Sequence, residues 1–379
     1  MSKSKKILIT LSVILALTLI GFGIYYYFFF KKTSETSPST TSEELLGVEL
    51  TPNAKERLIP ITDEAVLGAG LNTTNKEAGV SKIIYAAWDG SINQIGLGGD
   101  NKDKIGLVAV DRISEVDVSE SGELLFFKYN LASGANRFII YDVNSKTLKT
   151  LPQETEDVSL GNSNKEVAII YSDRSGKKIA LSYDGFSKNK DIIPTKIPDI
   201  KIKWVNADNI AIETRPSGFA TGIVYLLNIK NKKTTRILGG EYGLTTNFSP
   251  TGKKMLVSKT DSSGHSLKLS SINLDKKTES NVNLFTLPEK CTWTQDERVI
   301  LCSVFKVSDP NNFVMPDDYY KRIIRSEGGE EIIRINTETG QIQKIIDGSF
   351  DASNLFVMPD ETYLFFINKI DGRLYRLTL

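Results

Sequence analysis

Histidine is nearly missing from this chain: His265 is the single copy in 379 residues, beside two cysteines and four methionines. A metal centre built on imidazole and thiolate has no material here, so no metal is expected. One histidine allows one general base, yet no Gly-x-Ser-x-Gly elbow accompanies it. It lies in Asp261-Ser262-Ser263-Gly264-His265-Ser266, which reads as a solvated turn. No glycine-rich loop is built to cradle a phosphate, and no cofactor is expected. The adjacent acids Asp317-Asp318 point apart and read as solvation of a turn. Excess charge is missing too. The net charge is +1, and residues 1–32 hold five lysines and no acid, which leaves −4 for residues 33–379. A mildly acidic body argues against a nucleic-acid partner.

What is present begins with one apolar run. Lys3, Lys5 and Lys6 precede residues 7–30, which contain no charge. Twenty-four helical residues cover about 36 Å, enough to cross a bilayer with some tilt. Tyr25-Tyr26-Tyr27 suits the outer interface, and bulky residues fill the place of a cleavage site. Residues 7–30 are therefore expected to be an uncleaved signal anchor in the lipid bilayer. Residues 1–6 form a cytoplasmic stub and the body is extracytoplasmic. Residues 31–56, rich in Ser, Thr, Glu and Pro, read as a flexible tether.

The body, residues 57–379, repeats one hairpin. Its clearest copy is Phe248-Ser249-Pro250-Thr251-Gly252-Lys253, followed by Lys254-Met255-Leu256-Val257-Ser258. Proline fixes φ and glycine accepts φ > 0, which makes a tight turn between strands. Echoes open on Val118, Leu160, Trp204, Trp293 and Val357, at steps of 42, 44, 44, 45 and 64 residues. The Trp/Phe slot reads as packing between neighbouring units. Second hairpins follow, as at Asp275-Lys276-Lys277 and Thr337-Glu338-Thr339-Gly340. A period of 40–45 residues with four strands per unit predicts an all-β, seven-bladed β-propeller, with six blades as the alternative.

The last unit has three strands, and the short strand at residues 57–62 has no local partner. Pairing of 57–62 with 373–379 closes the ring and removes its open edges. The units then run 63–110, 111–152, 153–197, 198–240, 241–287, 288–347 and 348–379.

These copies resemble the TolB-like branch of WD-repeat-like propellers, whose repeat reads Trp-Ser-Pro-Asp-Gly-Lys before an apolar strand, in a membrane-anchored bacterial form. The resemblance implies the fold over roughly 57–379, and relatives that bind other envelope proteins. Propellers also cap serine peptidases of the prolyl oligopeptidase family. Those need a hydrolase domain, for which no residues remain, so the chain is not expected to be an enzyme.

Cys291 and Cys302 lie in the two strands of one hairpin. If the turn centres on Asp296-Glu297 they face each other and a disulfide forms; a two-residue slip separates them. The 64-residue step locates an insertion at about 307–330, with a short helix expected over 318–325. Phe313, Tyr319, Tyr320, Arg322 and Arg325 are types that anchor interfaces, and are the candidate partner-binding residues. The competing reading is a lid without a partner. The functional expectation is a monomeric propeller that binds or scaffolds an envelope protein. The alternative is a propeller enzyme or small-ligand sensor using the central funnel.

Overall fold

The computed structural model describes residues 57–73, 81–161, 165–184 and 190–379. The candidate anchor and tether lie outside the described residues. Among those described, no helix is long and apolar enough to cross a membrane.

The chain is all-β. Hairpins follow one another, so consecutive strands pair antiparallel in chain order. They form a first sheet (66–107), a second (113–150), a third (155–195), a seven-stranded long sheet (200–282), an insert-bearing sheet (291–348) and a closing sheet. All but the long sheet have four strands.

The turn chemistry explains the repetition. In the clearest copy Gly252 N–H donates to Ser249 O at 2.8 Å, with Gly252 at φ +72°. The Ser249 hydroxyl accepts from Lys254 N at 3.0 Å. Ser119 repeats both contacts with Gly122 and Leu124, and Thr294 repeats them with Glu297 and Val299. A hydroxyl at the turn's first position thus holds the hairpin closed from inside.

The long sheet departs from the expected break between residues 240 and 241. Thr234–Phe248 is one strand of 15 residues. Its first half pairs with Thr221–Asn228 and its second half with Lys254–Thr260. Gly240 and Gly243 take positive φ there, and the register shifts between Tyr242 and Thr245. The glycines bend the strand as a bulge does, and no loop intervenes.

The closing sheet joins the two ends of the body. Leu58–Pro60 pairs antiparallel with Leu374–Thr378, Leu58 opposite Leu377. The strand stops at Pro60, which has no N–H to give. Ile61 N–H still reaches Leu374 O at 2.8 Å.

The core is a series of apolar seams, each shared by two neighbours. Seams join first to second sheet, second to third, third to long, the two halves of the long sheet, long to insert-bearing, and insert-bearing to closing. Met358, Phe365 and Ile367 then pack on Tyr85 and Ile83, so the closing sheet meets the first. Every recurring slot residue lies in or against such a seam, including Trp204 and Trp293.

Cys291 opposes Cys302 in register, and the two form a disulfide with Cα atoms 4.0 Å apart. The turn centres on Asp296-Glu297, with Glu297 at φ +59°. Both cysteines are buried in the seam between the long and insert-bearing sheets.

Candidate functional site

Alternating strand direction gives each sheet two ends. First-to-second turns gather at one end, and second-to-third loops at the other. Leu58–Pro60 runs antiparallel to the third strand of the closing sheet, so Arg57 and Leu379 lie at the first end. The insertion, between Phe305 and Glu330, lies at the second.

The insertion is ordered by its own small core. Met315 and Ile324 are buried with Leu287 and Phe305, and Phe313 and Tyr319 pack against them. Phe313 stands 6.4 Å from the Phe285 ring, and Tyr319 meets Phe305 edge-on at 5.9 Å. Its helix is shorter than expected, Asp317–Tyr320. The Asp318 carboxylate turns back to cap Val314 N at 2.8 Å, and Arg322 enters left-handed backbone at φ +58°. A non-glycine residue there ends the helix.

Neighbouring loops hold the insertion. Asp317 Oδ2 accepts from Gly218 N at 2.6 Å, and Met315 N donates to Gly264 O at 2.7 Å. His265 Nδ1 lies 3.0 Å from Phe313 O. His265 is thus half-buried and joined to the insertion, a correction to its reading as a solvated turn residue. Tyr320 Oη donates to Glu289 at 2.7 Å, and Lys369 Nζ donates to Tyr319 Oη at 3.1 Å. Burial, aided by Glu289, pushes the Tyr319 hydroxyl well above the ordinary phenol range.

Beneath lies a buried ion cluster. Lys290 is fully enclosed, with Nζ 2.8 Å from Glu330 Oε1, 3.0 Å from Asp351 Oδ1 and 2.7 Å from Ala352 O. Glu330 also accepts from Ser303 Oγ and Ala352 N. Burial pushes the Glu330 carboxyl up against the pull of Lys290. Such a cluster holds because every group in it is paired.

Of the five candidate residues, Phe313 and Tyr319 pack inward, while Tyr320, Arg322 and Arg325 are exposed. The same end exposes Trp88 (68%), Phe219 (62%), Ile323 (50%) and Ile370 (65%). Sequence reasoning missed these. The signal was a large apolar residue directly before an Asp-Gly turn, as in Trp88-Asp89-Gly90 and Ile370-Asp371-Gly372.

At the opposite end, the first strands of the units converge on a cavity of about 670 Å³. Much of their polar equipment braces the next strand. Asn354 Oδ1 accepts from Ala69 N, Asp157 Oδ2 from Ile202 N and Ser159 Oγ from Trp204 N, each at 2.8 Å. Asn247 donates to Cys291 O at 2.8 Å, and Lys203 is held by Glu213 at 3.1 Å. Asp117 is different. It accepts only from its neighbour Val118 N at 3.0 Å, and no cation answers it among the described residues. The residue is exposed on the cavity wall. Desolvation there, with the like charge of Glu115, pushes its carboxyl up to about 6. Glu120, at the mouth, is raised by the same desolvation. No group of three or more His, Cys, Asp or Glu among the described residues could hold a metal ion.

An oligogalacturonate lyase in complex with manganese matches this structure with a TM-score of 0.59 and 12% identity. The match covers 85% of this chain and 93% of that one. The oligogalacturonate lyase from Vibrio parahaemolyticus gives 0.58 and 10%, with the same coverage. The fold is a β-propeller. TolB from Acinetobacter baumannii scores 0.46 at 10% identity, over 89% of this chain and 66% of its own. No family model matches the chain, and no curated protein matches it in sequence. The resemblance read from the hairpins therefore holds at the level of fold.

The expectation that the chain is not an enzyme is corrected by the lyases. That expectation rested on the need for a separate hydrolase domain. The propeller matches 93% of the lyase chain, so an enzyme is built on this fold with almost nothing added. Fold does not exclude a reaction, just as it does not assign one.

Proposed function

We propose that the chain is a membrane-anchored, extracytoplasmic propeller of seven blades that binds an envelope protein with its insert-bearing end. The blade count is supported by the seams and by the strand Thr234–Phe248, which serves two units. The anchor rests on the charge-free run at residues 7–30, and the disulfide suits an oxidising compartment. The single observation that carries the binding reading is the insertion itself. It is folded on its own core, tied to three loops, and offers Tyr320, Ile323, Arg322 and Arg325 to solvent beside Phe219 and Ile370. Exposed aromatics and arginines on a rigid base are what interfaces use.

The test is photo-crosslinking in cells from residues 320, 323 and 370, with residue 123 at the opposite end as control. One discrete partner from the first three positions and none from the fourth is expected. Equal products from all four would end this reading. A second reading, a small ligand in the cavity at the end opposite the insertion, is favoured by Asp117, which lines it without a cation among the described residues.

A further inference from the structure

The cavity at the end opposite the insertion is specific in what it offers. Its described lining contains Asp117 and Glu120 and no lysine or arginine. Around them stand Trp204, Trp293, Phe248 and Phe356, with Ser119 and Gln295 among the polar groups. Elsewhere on the first strands, acids are spent. Asp157 caps Ile202 N and Glu115 pairs with Lys128. The two cavity carboxyls have no such employment. A second mismatch lies in the same wall. Trp204 is 7% exposed, and its indole N–H has no hydrogen-bond partner among the described residues. A buried donor without an acceptor is destabilising. Its equivalent Trp293 does donate, to Asn247 O at 3.4 Å.

We infer that this cavity binds a small hydroxylated amine, of the amino-sugar or amino-alcohol class. The inference rests on the second reading above and names its ligand. An ammonium group supplies the charge that Asp117 and Glu120 lack, through charge-assisted hydrogen bonds. A hydroxyl oxygen is the kind of acceptor that the unmatched Trp204 N–H lacks. Aromatic walls receive the apolar faces of the same molecule. A bare divalent ion is a poorer fit, because among the described residues no third acidic or imidazole ligand stands with the two carboxyls. An anionic sugar acid would meet like charge. The volume of about 670 Å³ accommodates a molecule of one or two sugar rings.

The protein carries its own reporter. Its three tryptophans are Trp88 at the opposite end, and Trp204 and Trp293 at the cavity. In the full chain carrying Trp88→Phe, fluorescence reads the cavity alone. Three probes on one scaffold separate the charges: D-glucosamine, N-acetyl-D-glucosamine and D-galacturonate, near neutral pH. Saturable change with glucosamine is expected, with the acetylated sugar at least roughly tenfold weaker and galacturonate silent. Asp117→Asn and Glu120→Gln should each weaken glucosamine by roughly tenfold. Glu120 is exposed at the mouth, so its variant leaves the fold intact, and melting curves check the Asp117 variant.

Equal affinity for the acetylated sugar, or tighter binding of galacturonate, would leave the cavity as a ligand site and overturn the amine. Unchanged glucosamine affinity in both variants would overturn it as well. No saturable signal from any probe would remove the inference and the reading beneath it together.

Discussion

The guanidinium of Arg57 donates to the carbonyl of Thr378, 321 residues along the chain, with Nε at 2.8 Å. That bond marks where a three-residue strand from the start of the body is laid against the last strand. Leu377, wholly buried in the adjoining seam, depends on the junction. Leu377→Ala should lower unfolding free energy by about 2–5 kcal/mol. Leu58→Ala, at a half-buried position, should cost less. Urea titration measures both, and a Leu377 variant within roughly 0.5 kcal/mol of the parent would mean the junction adds little.

Lys290 is the most exposed to loss of its partners, because it has no water to fall back on. Lys290→Met strands the Glu330 carboxyl in the core and should cost about 3–5 kcal/mol. Lys290→Met with Glu330→Gln should recover a good part of that. Recovery is read from the shift in denaturation midpoint. A double variant weaker than the single would show that the charges are not what couples the two positions.

The disulfide should be worth about 2–4 kcal/mol, the range for closing a short loop in the unfolded chain. Melting with and without a thiol reductant reads it directly. Both sulfurs are buried, so reduction should be slow until the sheet opens. Rapid labelling of Cys302 in the folded protein would contradict its position in the seam.

Asp117 gives a pH signature with a definite sign. Its folded value, about 6, lies above the ordinary carboxyl range, so the folded state holds this proton more tightly than the unfolded chain. The stability it contributes is complete in acid and is lost as pH rises through about 6. Glu115 is the charged group that adds to the effect, while the Val118 N–H opposes it. Asp117→Asn should therefore melt higher than the parent at neutral pH and lose that advantage in acid. A constant difference across the range would show that desolvation is not the cause.

Much of the architecture was legible from the chain. Ser249-Pro250-Thr251-Gly252 and its echoes gave the hairpin, because hydroxyl and glycine chemistry is local. Cys291 and Cys302 could be paired once the Asp296-Glu297 turn was placed, since register follows from the turn. The break expected at Gly240 was not there. Two glycines read equally well as a loop or as bends within a strand, and only packing on both sides decides. The insertion was locatable by spacing, but its contacts were not. Asp317 with Gly218, and His265 with Phe313, join residues far apart in sequence. Asp117 carried no local mark at all, since its character comes from walls supplied by other units.

The shared strand Thr234–Phe248 has a mechanical meaning. Most neighbours in this protein are joined by loops that could yield separately, but here a continuous backbone crosses from one unit into the next. Pulling or thawing one therefore drags the other. Amides of residues 200–282 should exchange with deuterium as a single block roughly twice the size of any other, released in one event.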